Sequence, residues 1–384
     1  MDFIKKLLEK ISHTQTHHKK SILTIAIVVT LFLSFGFAQI YMQTDMMEEM
    51  PQDLPIFILN DKITNVFGGD EMVVIITQLD TISDDVDGIK DIRNPQTIKF
   101  IQELEYKLLQ ETDIDSVISI NTYLRGTTVT TQEQLISFLT LVPAANNFFS
   151  EDYMTMITYI KTDVGSNQDK LDSLVEIINQ DMDLVSNVPG AKNYITGTPV
   201  LNSTLGSLML TDALYTISIA LILIFILLII LKKSLIKAII VTIPLILGLI
   251  WTVGILGYLN IPITMATAGI GAMILGLGVE YSIFVFTRYI EERDKGKTPE
   301  ESLKISTPSV GQAIIGSSLT TLMGFLALTL STIPMLQKLG LTLAIGIFSI
   351  LIATIVVSPV IFMMIEKKHI LGLKKTKRNH FTNK

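Results

Sequence analysis

Six apolar segments constrain this sequence more than any other feature: 21–41, 212–231, 238–258, 263–287, 310–331 and 340–365. A bilayer's hydrocarbon core is roughly 30 Å thick and takes about 20 residues of helix to cross. Each segment is therefore read as a transmembrane helix. Only 17% of the 384 residues are charged, against about 25% in soluble domains. Gly36-Phe37-Ala38 offers a small-x-small cleavage pattern at the end of the first segment. The apolar run from Ser21 to Tyr41 nevertheless outlasts a signal-peptide core of about 7–15 residues, so it is expected to stay as the first helix.

Charge sorts the chain into two sides. Residues 42–211 hold 9 Lys+Arg and 26 Asp+Glu, while the whole chain has 30 and 36. The basic residues cluster beside the membrane in four places. Lys5, Lys6, Lys10, Lys19 and Lys20 precede helix 1, and Lys232, Lys233 and Lys237 separate helices 2 and 3. Arg288, Arg293, Lys295, Lys297 and Lys304 follow helix 4, and Lys367 to Lys384 closes the chain. Cytoplasmic loops concentrate Lys and Arg. Both basic tails, 1–20 and 366–384, are thus expected in the cytoplasm of a plasma-membrane protein, lying along anionic headgroups, with 42–211 outside. Lys338 is the one basic residue on the outer side between helices 5 and 6.

The outer block is long enough for one compact domain. Runs 71–79, 115–121, 153–161 and 192–196 read as strands, and 94–110, 131–142 and 167–185 as amphipathic helices. Asn94-Pro95 supplies a cap followed by an N1 proline. Strands separated by helices suggest an α+β or α/β sandwich of βαβ-like units. Residues 198–211 continue as helix into the second span. The block has no His, and its tightest acidic group, Asp84, Asp85 and Asp87, reads as a solvated face. Asn202-Ser203-Thr204 matches a glycosylation acceptor pattern. Val73, Ile75 and Tyr159 are apolar residues that a substrate could touch.

Inside the spans one ionisable residue stands out, Glu280 in the fourth helix. A charged group in hydrocarbon costs a few kcal/mol even on lenient scales, and marks a functional site by default. A carboxyl group there can take a proton from one side and release it to the other. Tyr281 brings a hydroxyl beside it. Gly269, Ala272 and Gly276 form a small-residue stripe that lets another helix come close. Ala313, Ser317, Thr320 and Gly324 offer a matching small, polar face on the fifth helix. A purely structural hydrogen-bonding role for Glu280 is the plainer alternative.

Other chemistry finds no support. Cys is absent, which removes thiol catalysis and thiolate metal sites. Gly269-Ile270-Gly271 and Gly276-Leu277-Gly278 sit within the membrane with no soluble strand before them, and Gly296-Lys297-Thr298 lacks the glycine of a phosphate loop, having Glu291 instead. His13 and His17 lie in a basic tail and read as solvated. No enzyme activity, cofactor, metal or nucleic acid is expected.

One helix, a large outer domain and five further helices resemble one half of a resistance-nodulation-division (RND) transporter. The MMPL and hydrophobe/amphiphile efflux branch, whose last five helices are similar to a sterol-sensing domain, is the nearer likeness. The stretch Ile263–Glu292 looks like that family's fourth helix, with Glu280-Tyr281 falling on its Asp-Tyr proton relay. Phe67-Gly68-Gly69-Asp70 and Thr196-Gly197-Thr198-Pro199 also match. The resemblance implies an α-helical polytopic membrane protein of six spans, with an extracytoplasmic α+β porter-like domain at 42–211 and a five-helix bundle at 212–365. It implies a proton-driven exporter of hydrophobic or amphiphilic molecules, lipids among them, whose partners are that substrate and membrane lipids. Gly276, Ser317, Thr320 and Gly324 would supply the relay's packing. Glu replaces the usual Asp, and family members usually carry two such halves. A homodimer of 6 + 6 helices restores the second, with Glu280 of one protomer near Tyr281 of its partner. A separately encoded half-transporter, or a non-transporting lipid- or sterol-sensing or scaffolding protein, is the alternative.

Overall fold

The structure, a computed structural model, describes residues 2–59, 62, 72–80, 90–124, 126–162, 164–165 and 167–365. The motif at 67–70, the acids at 84–87 and the basic tail from 366 lie outside the described residues. In chain order the elements begin with α1 (Asp2–His17), α2 (Lys19–Ser34), a 3-10 turn (Phe35–Gln39) and β1 (Met42–Gln43). Then come β2 (Met72–Leu79), α3 (Pro95–Leu108), β3 (Ile114–Ile118), α4 (Asn121–Leu124), α5 (Gln132–Leu141), β4 (Thr155–Thr162), α6 (Gln168–Leu184) and β5 (Ala191–Gly197). The chain ends through α7 (Thr198–Lys232), α8 (Leu235–Tyr258), β6 (Ile263–Thr264), α9 (Ile270–Asp294), α10 (Pro299–Leu328) and α11 (Pro334–Ile352). A π turn over Ala353–Val357 follows α11. Two compact units result: Met1–Gln43 with Glu49–Pro51 and Met209–Lys384, and Thr44–Glu48 with Gln52–Leu208.

The second unit is a four-stranded sheet of order β3-β4-β2-β5. Every pairing in it is antiparallel. With α3 between β2 and β3 and α6 between β4 and β5, this is the ferredoxin-like split βαβ arrangement. The result is α+β, and the α/β alternative falls away because no two of these strands pair in parallel. Alternation decides which face is covered. Val73, Ile75, Met156 and Ile160 join one core with Phe100, Ile101 and Leu104 of α3 and Leu171, Leu174 and Ile178 of α6. Each such side chain contributes roughly 1.5–3 kcal/mol when fully buried. Val73 and Ile75 are therefore core residues and cannot meet a substrate. Tyr159 lies on the opposite face, in register with Val74, while Ile76 pairs with Ile157 and Tyr194.

Local chemistry sets the element ends. Asn94 Oδ1 accepts from Gln96 N at 3.0 Å, ahead of Pro95 in the first turn of α3. Thr131 and Gln134 close a capping box on α5. Gly197 holds φ +114°, and a side chain there would strike the Met72 backbone. That geometry gives the Thr196-Gly197-Thr198-Pro199 motif a structural cause: a left-handed residue ends β5 so that α7 can begin.

Asp91 and Arg93 knit the start of α3 to its surroundings. Arg93 Nη2 lies 2.6 Å from Asp91 Oδ2, and its guanidinium sits 3.3 Å from the Tyr153 ring centroid. Burial raises the Asp91 carboxyl, but the hydrogen bonds and charge of Arg93 outweigh it and hold the group below the usual carboxylate range. A depressed folded value stabilises the fold above the ordinary carboxylate range, and that contribution is lost as pH falls through the folded value. Urea unfolding followed by circular dichroism therefore weakens more steeply on acidification in the wild type than in Asp91→Asn. Parallel curves for the two would show that the pair adds no pH-dependent stability.

Among the described residues of the first unit and α7, six helices are long and apolar enough to cross a membrane. The fifth starts at Pro299, not at 310, because Thr298 and Glu301 form a capping box there. The segment expected to open the fourth at 263 instead pairs β6 with β1 in parallel. Glycines set the closest crossings: a methyl at Gly254 would meet the backbone of Leu33, and one at Gly257 that of Gly36. Trp251 Nε1 donates to Thr30 Oγ1 at 2.9 Å and the Tyr258 hydroxyl to Phe32 O at 2.9 Å, tying α8 to α2. Ser282 donates to Val241 O at 2.7 Å, one turn before Pro244, which has no N–H to give its own helix.

Candidate functional site

α9 turns by about 100° per residue, so neighbouring residues look different ways. Tyr281 and Ser282 are buried, whereas Glu280 is exposed. Glu280 shares its face with Met273, Gly276, Leu277 and Phe284, all exposed. Tyr281, 4% exposed, lies in the core of the bundle with Val285 of α9 and Ile314 of α10. Within one chain the structure thus parts the two residues that the sequence places side by side.

The packing expected around Glu280 is also parted. Ala313, Gly316, Ser317, Thr320 and Gly324 follow one stripe of α10 and are all exposed. Gly276, Gly316 and Gly324 have open space where a Cβ would stand. Gly276, Ser317, Thr320 and Gly324 therefore do not pack α9 against α10 inside the chain. Buried residues on other faces of the two helices do that, with Ile314 of α10 in one core with Ile274, Tyr281 and Val285 of α9. The hydroxyls of Thr320 and Thr321 donate back to Ser317 O at 2.7 and 3.1 Å, which leaves their lone pairs for an incoming donor. The glycines that do pack lie elsewhere: Gly278 against Ile350, Gly346 against Ile274 and Gly248 against Ile350.

Three features went unread in the sequence. At the end of α9, Glu292 is 1% exposed yet pairs with Arg288 at 3.0 Å, Lys295 at 2.7 Å and Lys297. The i,i+4 and i,i+3 spacing of these charges was the available signal. Lys338 on α11 pairs with the buried Glu49 at 2.6 Å, a contact across 289 residues with no local signature. Third, an apolar groove of about 350 Å³ runs along α2, α8 and α11, lined by Ile25, Val29, Trp251, Phe348, Ile352 and Val356 among others.

His13 and His17 stack with ring centroids 4.2 Å apart and are exposed. Among the described residues no group of three or more His, Asp or Glu gathers in a metal-binding arrangement. Asn202 lies within α7, where the adjacent Ser203 is buried and donates to Asp172 at 2.6 Å.

Six spanning helices and a ferredoxin-like sheet within one chain define the RND class of membrane protein. The fold matches the cryo-EM structure of the hedgehog release protein Disp from the water bear Hypsibius dujardini with a TM-score of 0.68 at 11% identity, over 94% of this chain and 49% of that one. Residues 37–381 match the MMPL family, and the chain belongs to it. A membrane protein of Methanocaldococcus jannaschii is 31% identical over 379 residues, 97% of each chain. The siderophore exporter MmpL5 of Mycobacterium tuberculosis is 25% identical over 222 residues, covering 54% of this chain and 22% of that protein. The chain thus spans about half of the Disp chain and under a quarter of MmpL5.

Proposed function

We propose that this chain is a proton-driven exporter of hydrophobic or amphiphilic molecules, lipids included, acting as a homodimer in the plasma membrane. The observation that carries the reading is Glu280, an acid exposed within the long apolar helix α9. An ionised carboxylate facing acyl chains is disfavoured by a few kcal/mol, so this face calls for protein against it. The open glycines and the exposed hydroxyl-bearing stripe of α10 suit close helix approach. A second copy related by a two-fold axis presents the same surface in return. Glu280 of one protomer then enters a seam lined by Gly276, Ser317, Thr320 and Gly324, with Tyr281 of each copy buried one residue behind that face. The relative spanning twice the length, together with the relative of equal length, supports pairing of two halves. The excess of Lys and Arg at the two tails and between spans supports cytoplasmic termini with 42–211 outside. α7 runs unbroken from residue 198 to 232, a shaft by which proton-linked movement of the bundle reaches the sheet unit. The export activity named for the mycobacterial relative supports the substrate class.

The test is flux of a fluorescent amphiphile in proteoliposomes with an imposed proton gradient. The reading requires flux that collapses when an uncoupler dissipates the gradient. The chain has no Cys, so cysteines introduced beside Glu280 report the pairing directly: they crosslink two copies if the homodimer is right. A strictly monomeric particle in detergent and bilayer defeats it, and capture of a different chain by the same cysteines would point to a separately encoded half. The groove along α2, α8 and α11 favours a second reading, a lipid-sensing protein. That protein binds lipid with no gradient and tolerates loss of Glu280.

A further inference from the structure

α1 shows three distinct stripes. Leu8, Ser12 and Gln15, spaced by four and three, are buried, and Leu8 packs over Gly311 of α10. Phe3 at 79% and Leu7 at 45% are exposed apolar side chains. Lys6 and Lys10 run along the neighbouring row and are exposed, as are Lys5 and Lys20. A helix docked by one stripe and carrying an apolar row beside a cationic row has the form of an interfacial helix. Its apolar row fits the edge of the acyl layer, and its lysines extend to anionic headgroups.

The buried stripe does more than dock. Gln15 Nε2 donates to Ile355 O at 2.7 Å and to Val356 O at 3.0 Å. Its Oε1 accepts from Thr307 Oγ1 of α10 at 3.4 Å. The two carbonyls belong to the π turn after α11, a wide turn that departs from the regular i→i−4 ladder. Thr354 and Ser358 in and beside that turn are fully buried, with hydroxyls that have no hydrogen-bond partner among the described residues. Gln15 is thus a side chain from α1 that satisfies backbone groups of a locally irregular helix 340 residues away. In a membrane such groups are costly to leave unpaired.

We propose that α1 is a clamp that responds to anionic lipid. Headgroups of an anionic leaflet hold its lysine and apolar rows at the surface, and Gln15 passes that hold to the π turn. The leaflet's charge then sets how readily the turn opens. The inference stands apart from the transport reading, since neither the site nor the readout involves Glu280 or a substrate.

The experiment places the full chain in vesicles of phosphatidylcholine alone or mixed with phosphatidylglycerol. A fluorophore on Thr14→Cys, an exposed position of α1, reports depth through quenching by brominated acyl chains. Amide hydrogen exchange reports the turn at 353–358. Phosphatidylglycerol is expected to deepen quenching and slow exchange at the turn several-fold. The triple variant Lys5→Gln, Lys6→Gln, Lys10→Gln loses both responses. Gln15→Leu keeps the lipid-dependent quenching but loses its effect on exchange, which separates lipid binding from its transmission. Equal quenching in the two vesicles overturns the lipid assignment, including the case in which another protein copy covers α1. Deeper quenching with unchanged exchange in the wild type overturns the clamp.

Discussion

On the proposed reading, Glu280→Gln is expected to reduce gradient-driven flux to that of protein-free vesicles, with insertion and crosslinking between copies kept. Gln keeps the size and hydrogen-bonding shape of the protonated acid, but it cannot release a proton. It therefore isolates proton transfer from packing. The variant's fold has little to lose, because Glu280 is exposed in the single chain and so fills no internal space. Glu280→Asp is the conservative control: it shortens the side chain by one methylene, retains a titratable carboxyl, and is expected to keep measurable coupling. Tyr281→Phe is expected to lower flux less than Glu280→Gln, since Tyr281 is buried within its own bundle and Phe keeps the ring that fills that space. If Glu280→Gln transports as wild type does, Glu280 is not the relay, and the lipid-sensing reading becomes the better account of the groove on α2, α8 and α11.

The spans and the sheet elements were legible because each rests on a local signal: a long apolar run, a period-two alternation or a capping residue. α3 follows from Asn94-Pro95 and its apolar face, and β2 from its run of Val and Ile. Where an end differs from the apolar run, a capping signal outweighs hydropathy. Thr298-Pro299-Glu300-Glu301 starts α10 well before its apolar stretch, since a capped helix can begin in polar sequence. Strand direction was not legible, because one βαβ pattern suits parallel and split antiparallel sheets alike. The acid at 280 could be found by its cost in hydrocarbon. Its direction could not, because hydropathy shows no moment along a helix that is apolar almost all round. The Gln15 and Glu49 contacts were invisible for another reason. Each joins residues hundreds of positions apart, and only the folded chain brings them together.

Two glycines of α9, two residues apart, separate folding from assembly. A side chain at Gly278 would approach Ile350 to 2.6 Å and Leu245 to 3.3 Å, inside the closely packed bundle. At Gly276 no atom of the described residues lies within 4 Å of that position. Overpacking a filled interior costs typically 1–3 kcal/mol and more where the neighbours cannot give way. Gly278→Leu is therefore expected to lose at least about 2 kcal/mol of bundle stability, read as a fall in the thermal midpoint in detergent. Gly276→Leu should leave that midpoint close to wild type, because its side chain enters open space. In the bilayer the order reverses for pairing. A branched side chain at Gly276 holds the second copy away from α9, so crosslinking between cysteines beside Glu280 falls and gradient-driven flux falls with it. Gly316→Leu on α10, equally open, should act as Gly276→Leu does. Should Gly276→Leu crosslink and transport like wild type, this face faces lipid and the homodimer must be built on another surface. The two substitutions differ by half a helical turn, and only a second copy makes the milder one for the fold the more damaging one for function.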